Sequence, residues 1–255
     1  MGKVIAIANQ KGGVGKTTTA INLCASLVNR GKNVLLVDCD PQGNATTGMG
    51  IKKNKVKSIY DVMFRGLPAQ DAITATMHGH MLASRAELAA ANIELVDMED
   101  RERILKRCLA PVKSKYQYII LDCPPSLELL TLNALTAADT VLIPVQTEFY
   151  ALEGLSDLIG TIRLVKQKMN PSLDIEGLVL TMYDKRTKLS ADVEDTLKKH
   201  FPGKVYDTVI PRNIRLSEAP SHGKPCIAYD KSSKGTKAYL HVASELLKRQ
   251  KAVEN

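Results

Sequence analysis

Two lysines bracket a glycine-rich run, Asn9-Gln10-Lys11-Gly12-Gly13-Val14-Gly15-Lys16-Thr17-Thr18. An apolar segment, Val4-Ile5-Ala6-Ile7-Ala8, precedes it, and a helical pattern from Thr19 to Asn29 follows. Strand, glycine loop and helix in that order form the phosphate cradle of nucleotide-binding α/β proteins. Glycines let successive backbone N–H groups turn inward on phosphate oxygens, and the helix N-terminus adds partial positive charge. In such a loop Gly12, Gly13, Val14, Gly15 and Thr18 form the cradle. Lys16 reaches the β- and γ-phosphates, and the Thr17 hydroxyl sits on Mg²⁺.

The loop departs from the usual pattern. A glycine is expected six residues before Lys16, and Gln10 stands there instead. Glycines fall at 12 and 13, and Lys11 stands at the loop entrance. One triphosphate needs one such lysine, so the natural reading is that Lys11 reaches the nucleotide of another copy. The competing reading, a glycine-rich turn with solvated lysines, does not account for the flanking strand and helix.

Carboxylates complete the candidate chemistry. In open α/β sheets ligands sit at the carboxyl ends of the strands. One strand ends in Asp38-Cys39-Asp40-Pro41-Gln42-Gly43-Asn44, and two carboxylates one residue apart can serve a metal shell and orient a water. Tyr118-Ile119-Ile120-Leu121 delivers Asp122 in the same way, as the element that holds Mg²⁺ through water.

Short apolar runs must position these groups: Val34–Val37, Tyr118–Leu121, Val141–Val145, Ile175–Leu180 and Val205–Ile210, with helical patterns between. Continuous apolarity marks strands buried on both faces. The expected fold is α/β, a mostly parallel central β-sheet flanked by helices on both faces, in one domain spanning 1–255. Gly31 reads as a helix C-cap, and a helix at about 151–169 stops before Asn170-Pro171. Lys52–Lys57 reads as an exposed loop and Ser58–Phe64 as a short capped helix. Residues 77–98 are weakly patterned, and His78-Gly79-His80 reads as loop rather than as metal ligands.

Composition, 44% hydrophobic and 24% charged, suits an ordinary soluble domain with a sizeable core. No apolar run approaches the roughly 18 residues of a membrane span. Met1-Gly2-Lys3 leads straight into the first strand, so no signal peptide is expected. Five cysteines, at 24, 39, 108, 123 and 226, form no C-x-x-C pair. Isolated thiols suit a reducing cytoplasm. The net charge of +8 is uneven: residues 1–180 hold 20 Lys+Arg against 18 Asp+Glu, and residues 181–255 hold 15 against 9. A basic last third suits a polyanion partner and, on charge alone, equally a merely solvated basic surface.

Four separated segments carry a resemblance. They are Lys11–Thr17, Asp38–Asn44, Asp122-Cys123-Pro124-Pro125-Ser126, and Val209 to Pro225, which begins Val-Ile-Pro-Arg-Asn-Ile-Arg. In this order they resemble the ParA/Soj family of chromosome-partitioning ATPases, of the short chromosomal type with a deviant Walker A loop. The resemblance runs from residue 3 to about 245.

It implies an ATP-sandwich homodimer with Mg²⁺, in which Lys11 contacts the phosphates of the opposite subunit and Gly12 lies where the subunits approach. Lys11, Lys16 and Asp40 become the catalytic set, Asp40 positioning the attacking water. Thr17 binds the metal and Asp122 supports it. Pro211 and Asn213 match the adenine-contacting segment. It also implies non-specific duplex DNA binding by the ATP-bound dimer, with Arg186 and Arg215 in matching basic regions and Lys185, Lys188 and Lys224 as neighbours. A ParB/Spo0J-type centromere-binding partner would stimulate slow hydrolysis, and the location would be cytoplasmic and nucleoid-associated. A role in replication or sporulation control stays open.

Two other classes share the scaffold. A MinD-like membrane-associated ATPase needs an amphipathic C-terminal helix, and Leu246–Asn255 has few large apolar residues. A metabolic ligase or an iron–sulfur reductase needs a substrate pocket or paired cysteines, of which Cys123 alone is well placed.

Overall fold

In the computed structural model the described residues are 2–148 and 151–254. Seven strands form one sheet: β1 (Lys3–Ile7), β2 (Val34–Asp38), β3 (Ile73–Thr76), β4 (Gly79–Leu82), β5 (Tyr118–Asp122), β6 (Thr140–Gln146) and β7 (Asp174–Thr181). Their spatial order is β3-β4-β2-β5-β1-β6-β7, and every pairing is parallel except that of β3 with β4. The α/β expectation holds.

Burial on both faces explains the unbroken apolar runs. Along β1, Val4 and Ala6 join one core cluster while Ile5 and Ile7 join the other. Leu35 and Val37 of β2 likewise oppose Val34 and Leu36. The first cluster packs under the helices Ile104–Lys113, Leu129–Ala137 and Ala151–Lys168. The second packs under helix α1 (Lys16–Asn29) and the C-terminal helix Lys234–Glu254. A 3.0 Å hydrogen bond between the Thr19 and Tyr239 hydroxyls joins these two helices.

Three departures from the sequence reading matter. Residues 73–82 form an antiparallel hairpin whose second strand, β4, extends the parallel sheet beside β2. His80 therefore lies in a strand, its ring edge-on to Tyr116 at 5.3 Å. Val205–Ile210, expected as a strand, is not one. It touches β7 through one isolated bridge, Leu178 with Val205, and a second bridge joins Tyr183 to Pro211 just past the ends of both segments. Between them the Asp207 and Thr208 amides donate to the Glu245 carboxylate at 2.9 and 3.1 Å, which pulls the chain off the ladder. Ser58 and Asp61 close a reciprocal capping box on the helix Ile59–Phe64, as read. Gly31 takes the left-handed conformation of a helix end at φ 72°.

Register is what builds the site. Asp122 of β5 stands opposite Ile7 of β1 on one side and Asp38 of β2 on the other. Three strands thus end in line, and their three following loops share one edge.

Candidate active site

The glycine loop leaves β1 and is anchored from both sides. Asn9, 6% exposed, donates its Nδ2 to the Pro144 carbonyl at 2.8 Å and accepts the Lys11 amide at 3.0 Å. Thr181 at the end of β7 donates its Oγ1 to the Val14 carbonyl at 2.8 Å. Gly13 and Gly15 hold φ of 76° and 91°, left-handed values that a Cβ opposes. Helix α1 begins at Lys16 with no side-chain cap. Its first amides are therefore unmet donors facing the loop, the arrangement that takes an anion.

Lys16 is nearly buried, and its ammonium donates to the Lys11 carbonyl at 2.9 Å, folded back across the loop. Burial pulls its pKa down, while Asp122, Cys123 and Asp40 push the other way. Lys11 points elsewhere: its ammonium pairs with the Glu148 carboxylate just beyond β6, both side chains 35% exposed. Gly12 lies exposed on the rim, and a Cβ there would meet nothing within 4 Å.

The carboxylates are held unequally. Asp38, fully buried, accepts the Thr46 amide and hydroxyl at 2.8 and 2.7 Å and the Asp40 amide at 3.2 Å. Burial nevertheless lifts its pKa to about 6. Asp40, 7% exposed, accepts the Gln42 amide at 2.9 Å, which fixes the turn after β2. Both oxygens of Asp122 are buried without a hydrogen-bond partner. Burial raises its pKa well above the carboxylate range, the Asp38 charge adds to this, and Thr17 and Lys16 oppose it. An orphaned buried carboxylate beside the Thr17 hydroxyl and a phosphate loop is the donor set that suits a hard divalent cation.

A cavity of about 150 Å³ opens beside the loop, lined by Gly15, Thr18, Met182, Pro211, Asn213 and Tyr239 among others. Met182 holds φ 49°, an uncommon value for a residue with a side chain, where β7 ends against this cavity. Pro211 and Asn213 therefore line a pocket whose wall includes Gly15.

Residues 2–175 match the AAA domain family AAA_31. The chain is 57% identical over 249 residues to the sporulation initiation inhibitor protein Soj of Bacillus subtilis, spanning 96% of this chain and 98% of that protein. It is 50% identical over 252 residues to the chromosome partitioning protein ParA of Myxococcus xanthus, spanning 98% and 89%. This chain belongs to the ParA/Soj family. Among solved structures, cobyrinic acid a,c-diamide synthase from Mycobacterium smegmatis with bound ADP and magnesium is similar at a TM-score of 0.86 and 38% identity, over 98% of this chain and 96% of that one. The cell division ATPase MinD of Pyrococcus furiosus is similar at a TM-score of 0.79 and 28% identity, over 97% and 99%. The MinD-like fold is thus shared, and no described helix is long and apolar enough to cross a membrane.

The basic residues of this ParA/Soj chain divide between places. Lys185 and Arg186 line an open groove of about 900 Å³ together with Arg212, Lys234, Lys237 and His241. The Arg186 side chain is 89% exposed and is bonded to Asp184 at 2.7 Å. Lys188 is exposed at the start of the helix Lys188–His200. Arg215 pairs with Glu218 at 2.8 Å and Asp230 at 3.4 Å. Lys224 lines a separate depression beside Met77 and His78. Sequence reading missed Lys234 and Lys237 of the groove, the Glu148 partner of Lys11, the Thr46 clamp on Asp38 and the Thr181 grip on the loop. Of these only Lys234 and Lys237 had a signal, as part of the basic last third.

Proposed function

We propose that the chain is a nucleotide-switched partitioning ATPase. ATP occupies the loop, with its phosphates on the α1 amides and Lys16 and its base in the cavity walled by Pro211 and Asn213. Thr17 would hold the magnesium ion directly and Asp122 through water. When bound, the ion would supply positive charge against the charge developing on the phosphate oxygens. Lys16 leaves the Lys11 carbonyl for phosphate oxygens, and the ligand meets the unmet α1 donors. Asp40, one oxygen fixed by the Gln42 amide, orients the attacking water with the other.

Two such subunits close face to face. Lys11 then moves from Glu148 to the partner's phosphates, which explains two lysines in one loop. The observation that carries this reading is the bare rim at Gly12: the loop is exposed where a second loop must approach, with no side chain in the way. Dimer formation doubles the basic footprint of Lys185, Arg186, Lys188, Arg215 and Lys224, which then holds duplex DNA through phosphate contacts. A ParB/Spo0J-type partner stimulates hydrolysis and releases the dimer, and the protein works in the cytoplasm on the nucleoid.

The test is retention of plasmid DNA across a salt series with ATP, with ADP and without nucleotide. Retention is expected with ATP alone, falling steeply with salt, with a shallower slope in Arg186→Ala/Arg215→Ala. Equal retention without nucleotide would remove the switch.

A further inference from the structure

The segment the sequence left unread carries an apolar, acidic patch. Ile93, Val96 and Met98 are 77%, 52% and 36% exposed, while Leu88, Ala91 and Leu95 anchor the same stretch in the core. Four of the eight residues 93–100 are acidic and none is basic, on a chain of net charge +8. Glu94 receives the Tyr60 hydroxyl at 2.8 Å, and Asp100 pairs with Arg107 at 3.4 Å. Asp97 and Glu99 are exposed, and no ion pair engages either among the described residues. Large apolar side chains turned to water beside unpaired charge mark a surface made to be covered.

This patch is tied to the catalytic edge. Asn92 donates to the Glu128 carboxylate and accepts the Leu130 amide at 3.2 Å. Asn133 donates to the Arg101 carbonyl at 2.7 Å and accepts the Leu105 amide at 3.1 Å. The stretch 91–103 is therefore fastened at both ends to the helix Leu129–Ala137, and residues 123–128 alone join that helix to Asp122. Ile93 and Val96 are thus connected through Asn92 and the start of that helix to the loop that follows the metal-side carboxylate.

We propose that Ile93, Val96, Met98, Asp97 and Glu99 form the docking surface for a basic, amphipathic segment of a protein partner. Apolar side chains of the partner cover Ile93, Val96 and Met98, and its lysines or arginines meet Asp97 and Glu99. Docking acts on hydrolysis through Asn92 and the loop after Asp122. This deepens the proposed function and rests on its claim that a ParB/Spo0J-type partner stimulates the ATPase.

The experiment titrates that partner into the ATP-bound chain by calorimetry and measures phosphate release in parallel. The variants are Ile93→Ser/Val96→Ser/Met98→Ser and Asp97→Lys/Glu99→Lys, all at exposed positions. Each is expected to weaken partner binding by roughly tenfold or more, the loss typical of central interface residues. Each keeps basal hydrolysis and ATP-dependent dimerisation. An eighteen-residue leucine–lysine amphipathic helix is expected to compete with the partner, and its leucine–glutamate counterpart is not.

Partner binding and stimulation equal to wild type in both variants would overturn the surface and leave the stimulated switch standing. Loss of ATP-dependent dimerisation in the triple variant would reassign the patch to self-association. A wild-type chain that neither binds nor responds to the partner would remove the underlying reading, and this inference with it. Competition by the glutamate peptide instead of the lysine peptide would overturn the charge assignment.

Discussion

Asp38 and Asp122 stand opposite each other on neighbouring strands, both fully buried and both with pKa values raised by that burial. Asp38 has its oxygens satisfied by Thr46 and Asp40, whereas neither oxygen of Asp122 has a donor in good hydrogen-bond geometry and only the Thr17 hydroxyl, with the Lys16 ammonium, pulls weakly on its charge. Two adjacent carboxylates of which one lacks a donor are under electrostatic load until a cation arrives.

A raised folded-state pKa gives a definite pH dependence. The folded chain binds protons that the unfolded chain has released, so the contribution to stability is full below about pH 4 and is lost as pH climbs through about 6 for Asp38, with Asp122 acting in the same direction. The load is on the order of 3 kcal/mol for the Asp38 shift. Without magnesium or nucleotide, Asp122→Asn is expected to gain melting temperature relative to wild type between pH 5 and 8. Magnesium with a nonhydrolysable ATP analogue is expected to reverse that order. An unchanged difference across this range would remove the burial argument.

Lys11 offers a test of subunit exchange. Lys11→Ala is expected to bind ATP as a single subunit and to fail to dimerise. Glu148→Gln releases the ammonium from its partner within the chain. A partly exposed pair is worth about 0.2–1 kcal/mol, and two such pairs open in each dimer, so ATP-dependent dimerisation should tighten by roughly 2- to 30-fold. Analytical ultracentrifugation reads both, and weaker dimerisation in Glu148→Gln would show that Glu148 supports the interface.

Gly12→Val separates folding from assembly. A Cβ there meets nothing within 4 Å in the single subunit, so unfolding stability should stay within about 0.5 kcal/mol of wild type. Nucleotide binding by the monomer should persist while the dimer peak with ATP disappears. A dimer that survives the valine would place the subunit contact elsewhere.

Gly235→Ala reaches the base pocket from behind. Its Cβ would stand 2.6 Å from Leu216 Cγ and 3.1 Å from Asn213 Oδ1, both residues of the cavity wall. Overpacking of this kind costs about 1–3 kcal/mol. The expected result is a lower melting temperature together with about tenfold weaker ATP-analogue binding, equivalent to about 1.4 kcal/mol. Normal affinity in a destabilised variant would mean that Asn213 does not bear on the base.

The glycine loop, β1, β2 and β5 were legible because each is a contiguous apolar run whose chemistry sits in the next few residues. Other features depend on distant chain. Val205, Tyr206, Val209 and Ile210 read as a strand, yet Glu245 captures the two amides between them. The hairpin of β3 and β4 is short and half-buried, and β4 gains its place by pairing with β2, far earlier in the chain. Glu148 meets Lys11 across 137 positions. Charge counting placed basicity in the last third but not on a face: Lys185 and Lys224 border different depressions.

The outer strands limit how this chain can assemble. β3 has four residues, and the far side of β7 is partly occupied by the irregular stretch ending at Pro211. Neither border presents a long open row of amides and carbonyls, so strand-by-strand templating into fibres is discouraged. Growth of any higher-order array is thereby left to side chains on the loops and helices.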